Sequence, residues 1–203
     1  IVFTGKTSEE ITGGDEFEKI FQELIEREEG RGEAVVVNNK ESKAYNRVKN
    51  ITFSPKGDLV YIACNYYGGE EYGECFPVIN DKEGKAYYEG IRDIVFSGKG
   101  EHLVFTAGTK KNSLIVNNEE VGIFDYISSD VAFSPDGKRL AYIAKKGEKW
   151  LVVLDGKEGK SYDLVADLIF SPGSKNFAYV AINENKNFMV INEKEGKVYD
   201  SIY

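Results

Sequence analysis

FSPDGKRLAYIA, from Phe133 to Ala144, decides the fold, because the chain holds three more versions of it: ITFSPKGDLVYIA from Ile51, IVFSGKGEHLVFTA from Ile94 and LIFSPGSKNFAYVA from Leu168. The shared phenylalanines are Phe53, Phe96, Phe133 and Phe170, at steps of 43, 37 and 37 residues. A second set lies half a period away: VVVNNKESKAYN from Val35, PVINDKEGKAYY from Pro77, LIVNNEEVGIFD from Leu114, VVLDGKEGKSYD from Val152 and MVINEKEGKVYD from Met189. Its glutamates, Glu41, Glu83, Glu120, Glu158 and Glu195, keep nearly the same step. A period of this size marks a modular array in which each unit buries its apolar face on its neighbours.

The unit around Phe133 lacks insertions and serves as the template. DVAFS (Asp130 to Ser134) reads as a short apolar strand, and Pro135-Asp136-Gly137-Lys138 as a tight turn in which glycine supplies a positive φ. RLAYIAK (Arg139 to Lys145) is a second strand, Lys146-Gly147-Glu148 a turn, and WLVVL (Trp150 to Leu154) a third strand rich in β-formers. After the turn Asp155-Gly156-Lys157-Glu158-Gly159 comes a more polar last strand from Lys160 to Val165. Three strands apolar on both faces require cover on two sides, which stacking in a ring of four-stranded antiparallel sheets provides. The expected fold is all-β: a five-bladed β-propeller in one domain spanning 1–203, with an atypical first blade at 1–50 and regular blades at 51–92, 93–129, 130–166 and 167–203.

The first blade departs from the period. IVFT, from Ile1, aligns with IVFS from Ile94, yet the step to Phe53 is 50 residues. The excess contains DEFEKIFQELIEREEG, in which Phe17, Ile20, Phe21, Leu24 and Ile25 share one helical face. Asp15 and Glu18 have capping-box spacing and Gly30 is a natural stop, so an α-helix is expected over about 16–29. Its stripe suits a cover for the first blade; the alternative is a docking helix.

FSPDGKRLAYIA followed by VVLDGKEGKSYD resembles the WD-repeat-like propeller repeats of TolB-type periplasmic proteins and of the propeller domains that precede prolyl-peptidase catalytic domains. The resemblance covers residues 34–203 and implies the fold rather than an activity. The Trp-Asp and Gly-His pairs of eukaryotic WD repeats are missing, so their partners do not carry over.

With 26 basic and 34 acidic side chains the net charge is −8, which argues against a nucleic-acid partner. No apolar run approaches the ~18 residues needed to cross a bilayer as a helix. The chain starts at Ile1, which fits either a removed secretion signal or a truncation. His102, the single histidine, falls in a turn without a nucleophile beside it. Gly5-Lys6-Thr7 lacks the rest of a phosphate-binding loop, and the sequon Asn50-Ile51-Thr52 runs into a predicted inner strand of repeats with a bacterial character. No cofactor and no catalytic residue is indicated.

Three features survive subtraction of the repeat. Cys64 and Cys75 align with Lys145 and Lys149 across the template's turn, so a cross-strand disulfide is expected, with two buried thiols as the alternative. A disulfide would place the protein outside the cytoplasm, in the periplasm or secreted. The excursion NYYGGEEYGE between them offers Tyr66, Tyr67, Tyr72, Glu70, Glu71 and Glu74 to a protein or peptide partner; the alternative is that its rings pack on the hairpin or on a neighbouring blade. Finally, Asn50, Asp93, Asp130 and Asp167 each stand three residues before a repeat phenylalanine, at the expected entrance of the inner strand. They read as caps of interblade turns, with a calcium or magnesium ion at the channel mouth as the alternative. Asn38, Asn80, Asn117, Asp155 and Asn192 read as turn residues bonding backbone two positions on.

The expected function is a non-catalytic interaction scaffold that presents loops and the tyrosine-rich hairpin. Its alternative is an accessory propeller of a larger enzyme or envelope assembly. A third possibility is a fragment of a longer ring, or a ring closed only by oligomerisation.

Overall fold

The computed structural model describes residues 2–3, 32–37, 40–66, 73–88, 90–108 and 110–199. Among them every helix or strand element is a strand, twenty in all. The helix expected over 16–29 lies outside the described residues, as do Gly5-Lys6-Thr7 and Asn38. The chain forms two compact units, Ile1–Gly90 and Ile91–Tyr203.

In the first unit, β1 (Val2–Phe3), β2 (Val36–Val37) and β3 (Lys40–Glu41) make a three-stranded sheet in that order. β1 runs parallel to β2, with Val2 opposite Val36. The first sheet therefore differs from the four-stranded antiparallel blades, because its N-terminal strand pairs directly with the equivalent of a third strand. The second sheet orders β4 (Arg47–Phe53), β5 (Leu59–Asn65), β6 (Glu74–Ile79) and β7 (Lys82–Glu83), and β8 (Tyr87–Tyr88) also pairs with β6. β7 and β8 are the two halves of one outer strand, broken where Gly84 sits against the Pro77 carbonyl. Val35, Tyr45, Tyr61, Phe76 and Val78 close the core between the two sheets.

The second unit contains three antiparallel four-stranded meanders. They are β9 (Ile91–Phe96) to β12 (Glu119–Phe124) with β10 (Leu103–Ala107) and β11 (Asn112–Val116) between; β13 (Tyr126–Phe133), β14 (Leu140–Lys146), β15 (Lys149–Leu154) and β16 (Lys157–Tyr162); and β17 (Leu164–Phe170), β18 (Phe177–Asn183), β19 (Lys186–Ile191) and β20 (Lys194–Tyr199). Val104, Leu114 and Phe124 of the third sheet pack on Tyr142, Leu151 and Val153 of the fourth. Val152 and Tyr162 of the fourth pack in turn on Phe177, Tyr179, Phe188 and Val190 of the fifth. The fourth sheet covers Val104 of β10, and every residue of that strand is buried.

Two recurrent side chains hold each meander. The serine of the Phe-Ser signature accepts backbone N–H groups across the first turn: Arg139 donates to Ser134, Asp58 to Ser54, His102 to Ser97 and Asn176 to Ser171. The turn-opening Asn or Asp accepts the first N–H of the second strand at 3.0 Å, from Leu59 to Asn80, Leu103 to Asn117, Leu140 to Asp155 and Phe177 to Asn192. These side chains thus reach to the adjacent strand instead of two residues on. They can do so because each sits at a positive φ of 47–50° and is followed by a second such residue, the geometry of a type I′ hairpin turn.

The inner strands also begin before the expected boundaries, at Arg47, Ile91, Tyr126 and Leu164. Asn50, Asp93, Asp130 and Asp167 are inside these strands and not at their entrances. Each lies where the register with the second strand shifts. Asn50, Asp93 and Asp167 have φ of 54–56°, so each is the left-handed residue of a β-bulge, a conformation that Asn and Asp tolerate better than most side chains.

Candidate functional site

The hairpin joining β5 to β6 is where the second sheet breaks the repeat. Its strands are held by Cys64 and Cys75, which stand opposite one another in the ladder. Their Cα atoms are 4.1 Å apart, the spacing of a narrow antiparallel pair, and their sulfurs are bonded at 2.04 Å. Both are buried. The register corrects the alignment behind the pairing. Lys146 faces Lys149 across a two-residue turn, so Lys145 is opposite Trp150, and Trp150, not Lys149, is the counterpart of Cys75.

Beyond the disulfide, the Tyr66 N–H donates to Asn46 Oδ1 at 2.9 Å, tying the outgoing chain to the start of the inner strand. On the return, the Tyr88 hydroxyl donates to Glu74 Oε1 while its ring stays 68% exposed. Lys85 Nζ stands 5.5 Å from the centre of the neighbouring Tyr87 ring. The hairpin base is therefore an aromatic shelf of mixed charge on a disulfide-bound stem. Tyr67, Glu70, Glu71 and Tyr72 lie outside the described residues. Tyr88 escaped the sequence reading because it occupies the outer strand, where the repeat gives no reason to expect exposure.

In the second unit, the blade position of the disulfide carries a different group. Trp150 and Tyr126 meet edge to face at 5.9 Å, Lys145 Nζ lies 5.8 Å from the Trp150 ring, and Arg92 lies 5.9 Å from the Tyr126 ring. Arg92 is held by Asn112 Oδ1 at 2.8 Å. Asp125, Gly147 and Glu148 complete a shallow depression around these rings. Trp150, the only tryptophan, was the available signal; its partners come from strands that no local motif joins.

The acidic residues are dispersed. Asp93 accepts from Thr106 Oγ1 and Asp130 from Ser128 Oγ, each at 3.0 Å. Among the described residues no three Asp, Glu, His or Cys side chains group into a set able to hold a metal ion. His102 is engaged through its ring: Nδ1 lies 2.9 Å from Asn117 Nδ2, and the ring stacks on Phe133 at 5.8 Å.

One further arrangement recurs between sheets. Lys43 Nζ and the Tyr45 hydroxyl both donate to Glu83 Oε1, at 2.8 and 3.1 Å. Lys160 and Tyr162 do the same to Glu195, at 2.6 and 3.1 Å. Lys43 holds the Glu83 carboxyl below the usual carboxylate range, and Lys160 does so for Glu195. Burial, with the adjoining carboxylate in support, pushes the Tyr45 and Tyr162 phenols up. In these two places the Lys-x-Tyr of one blade clasps the glutamate of the next.

No protein-family model matches the chain, and no curated protein matches it. The likeness is to solved propellers. The β-propeller domain of the Trilobed protease from Pyrococcus furiosus, described as having an open velcro topology, aligns at TM-score 0.50 and 11% identity over 76% of this chain and 58% of its own. TolB from Acinetobacter baumannii aligns at TM-score 0.42 and 15% identity, over 79% of this chain and 46% of that one. Kuenenia stuttgartiensis hydrazine synthase aligns at TM-score 0.41 and 18% identity, over 78% and 53%. The chain thus spans about half the length of the structures it matches, and its sheets have a β-propeller fold. No helix among the described residues is long and apolar enough to cross a membrane.

Proposed function

We propose that the chain is a non-catalytic interaction module, a five-bladed β-propeller that presents the Cys64–Cys75 hairpin to a protein or peptide partner. The observation that carries this reading is the hairpin base, where exposed Tyr88 with Glu74 and Tyr66 stands on a stem fixed by a buried disulfide. Tyrosine on a rigid stem offers contact area at low entropic cost. The recurrent polar residues are occupied in turns, bulges and clasps, which supports a scaffold over a catalyst. The disulfide favours an oxidising compartment, periplasmic or extracellular. The test is affinity capture with the full chain and with a variant whose residues 66–73 are replaced by the Gly147-Glu148 type of turn. Loss of a specific partner supports the reading, and an unchanged partner set refutes it.

A second reading is favoured by the Pyrococcus furiosus neighbour, which is the propeller domain of a protease. In that reading this chain is an accessory propeller of a larger enzyme or envelope assembly. Co-purification of a catalytic subunit by the hairpin-deleted variant would select it.

A further inference from the structure

One row of the fourth sheet departs from its counterparts. By register, Tyr126, Lys145 and Trp150 correspond to Arg47, Cys64 and Cys75 in the second sheet and to Leu164, Ile182 and Asn187 in the fifth. Neither of those rows holds an aromatic ring, so the strand pairing does not require one. In the fourth sheet Tyr126 is 42% exposed and Trp150 half-buried, one ring against the edge of the other. Trp150 also packs on the core between the fourth and fifth sheets, which holds the pair rigid. Partly exposed tryptophan and tyrosine rings beside an arginine have the composition of a binding hot spot.

The charges around the rings identify the chemistry of the occupant. Arg92 stands by the Tyr126 ring and Lys145 by the Trp150 ring. Neither forms an ion pair with another described residue, whereas Arg139, Lys146, Lys149 and Lys160 of the same unit all do. Both are nevertheless positioned. Arg92 is held by Asn112, which is 2% exposed and whose Oδ1 also accepts the Ile127 N–H at 3.3 Å, and Lys145 lies along the Trp150 ring. Cations fixed beforehand lose little side-chain freedom on binding. Asp125 is committed to the Gly147 N–H at 2.7 Å, and Glu148 is the opposing charge on the edge of the depression. In a chain of net charge −8, two positioned cations without a carboxylate partner on either side of an apolar pair complement an occupant that is acidic and apolar together. The depression is shallow, so it suits an extended segment that continues past it better than a small molecule, which needs a cleft to bury most of its surface.

We propose that the Tyr126–Trp150 pair docks an acidic peptide segment of a partner protein, with an apolar side chain of the segment on the rings and Asp or Glu carboxylates on either side of it directed to Arg92 and Lys145. The site lies within the second unit and shares no residue with the Cys64–Cys75 hairpin, so it fails or stands independently of the proposed function.

Panning a random dodecapeptide display library on the full chain tests this, with each recovered peptide then titrated against the fluorescence of Trp150, the only tryptophan. Expected are peptides that share an apolar residue flanked by Asp or Glu, that shift the Trp150 emission saturably, and that bind more weakly as salt is added. Affinity should fall at least about tenfold in Lys145→Gln and in Arg92→Gln, each with an unchanged melting temperature. Lys145→Arg should retain it, and Glu148→Gln should raise it by removing the like charge. A chain in which residues 66–73 are replaced by a short turn should bind the same peptides, which separates this site from the hairpin. Recovery of no peptide, recovery of peptides without a shared acid, or affinities unchanged in both Lys145→Gln and Arg92→Gln overturns the proposal. Binding to a saccharide array that is lost in Trp150→Phe, with no acidic peptide recovered, overturns it as well and assigns the rings to a sugar.

Discussion

The Tyr162 hydroxyl donates to Glu195 Oε1 at 3.1 Å while its ring packs edge to face on Phe188, so one side chain joins two sheets by a polar and an apolar contact. The apolar part dominates, because Phe124 fills the equivalent position without a hydroxyl and meets Tyr142 in the same edge-to-face manner. Tyr162→Phe should therefore cost only about 0.5–1.5 kcal/mol, the net worth of a hydrogen bond. Tyr162→Ala should cost about 3–5 kcal/mol, as for other aromatic truncations in a core. Urea unfolding of the two variants distinguishes these values.

Alkali should unfold the protein through its tyrosines. Burial pushes Tyr142 up to about 12 and Tyr45 and Tyr162 higher still, against about 10 in an unfolded chain. A raised phenol pKa contributes stability that is fully present below the unfolded value and lost as pH rises through the folded one. Absorbance at the phenolate band should show these tyrosines ionising together with loss of the sheet signal in circular dichroism. Smooth ionisation near pH 10 with the sheets intact would contradict the burial.

Acid acts with the opposite sign. The Glu83 carboxyl is depressed by the Lys43 hydrogen bond and Asp163 by that of Lys149. Their stabilisation is full above the ordinary carboxylate value and lost as pH falls through the lower folded one. Lys43–Glu83 is a surface pair, so its share is about 0–1 kcal/mol and falls with added salt. Glu83→Gln should flatten the dependence of melting temperature on pH below about 4.3, measured at low ionic strength.

Reduction should destabilise the first unit. Closing the short loop between Cys64 and Cys75 is worth about 2–3 kcal/mol in the chain-entropy description. Hydrogen exchange before and after reduction should show faster exchange in β5 and β6 and none of that effect in β14 or β15. Equal acceleration in both units would contradict this assignment.

The cross-strand pins can be separated from their backbone geometry. Asn192 holds φ at 48° and accepts the Phe177 N–H. Asn192→Gly keeps the conformation and loses the bond, while Asn192→Ala loses both. Asn192→Ala should therefore be the worse of the two, by about 1–2 kcal/mol, the strain of a non-glycine residue in the left-handed region. Thermal melts of the pair give the comparison.

What the sequence revealed was what repeats along the chain. Strands, turns and the propeller fold followed from the Phe53 and Glu41 columns, since apolar spacing and turn chemistry act locally. The bulges were missed because Asp93 or Asp167 before a strand looks the same as a turn residue, and only pairing with the second strand reveals the left-handed kink. The serines of the Phe-Ser signature were overlooked although Ser97 and Ser134 are buried, since their acceptor role depends on the chain returning four or five residues later. The Trp150–Tyr126 group and the Tyr162–Glu195 clasp join strands and sheets distant in sequence, and no local pattern encodes such pairs.

The type I′ turns bear on how the chain reaches this structure. Each pairing among β9–β20 joins strands adjacent in sequence, so every step of sheet formation closes a short loop and the ordering cost stays low. A meander can zip up before its neighbours exist, and hairpins of this kind form within microseconds. A gene that copied one such stretch in frame would add a self-nucleating piece without disturbing those already made. The 37-residue step from Phe96 to Phe133 and from Phe133 to Phe170 is the length of one such piece.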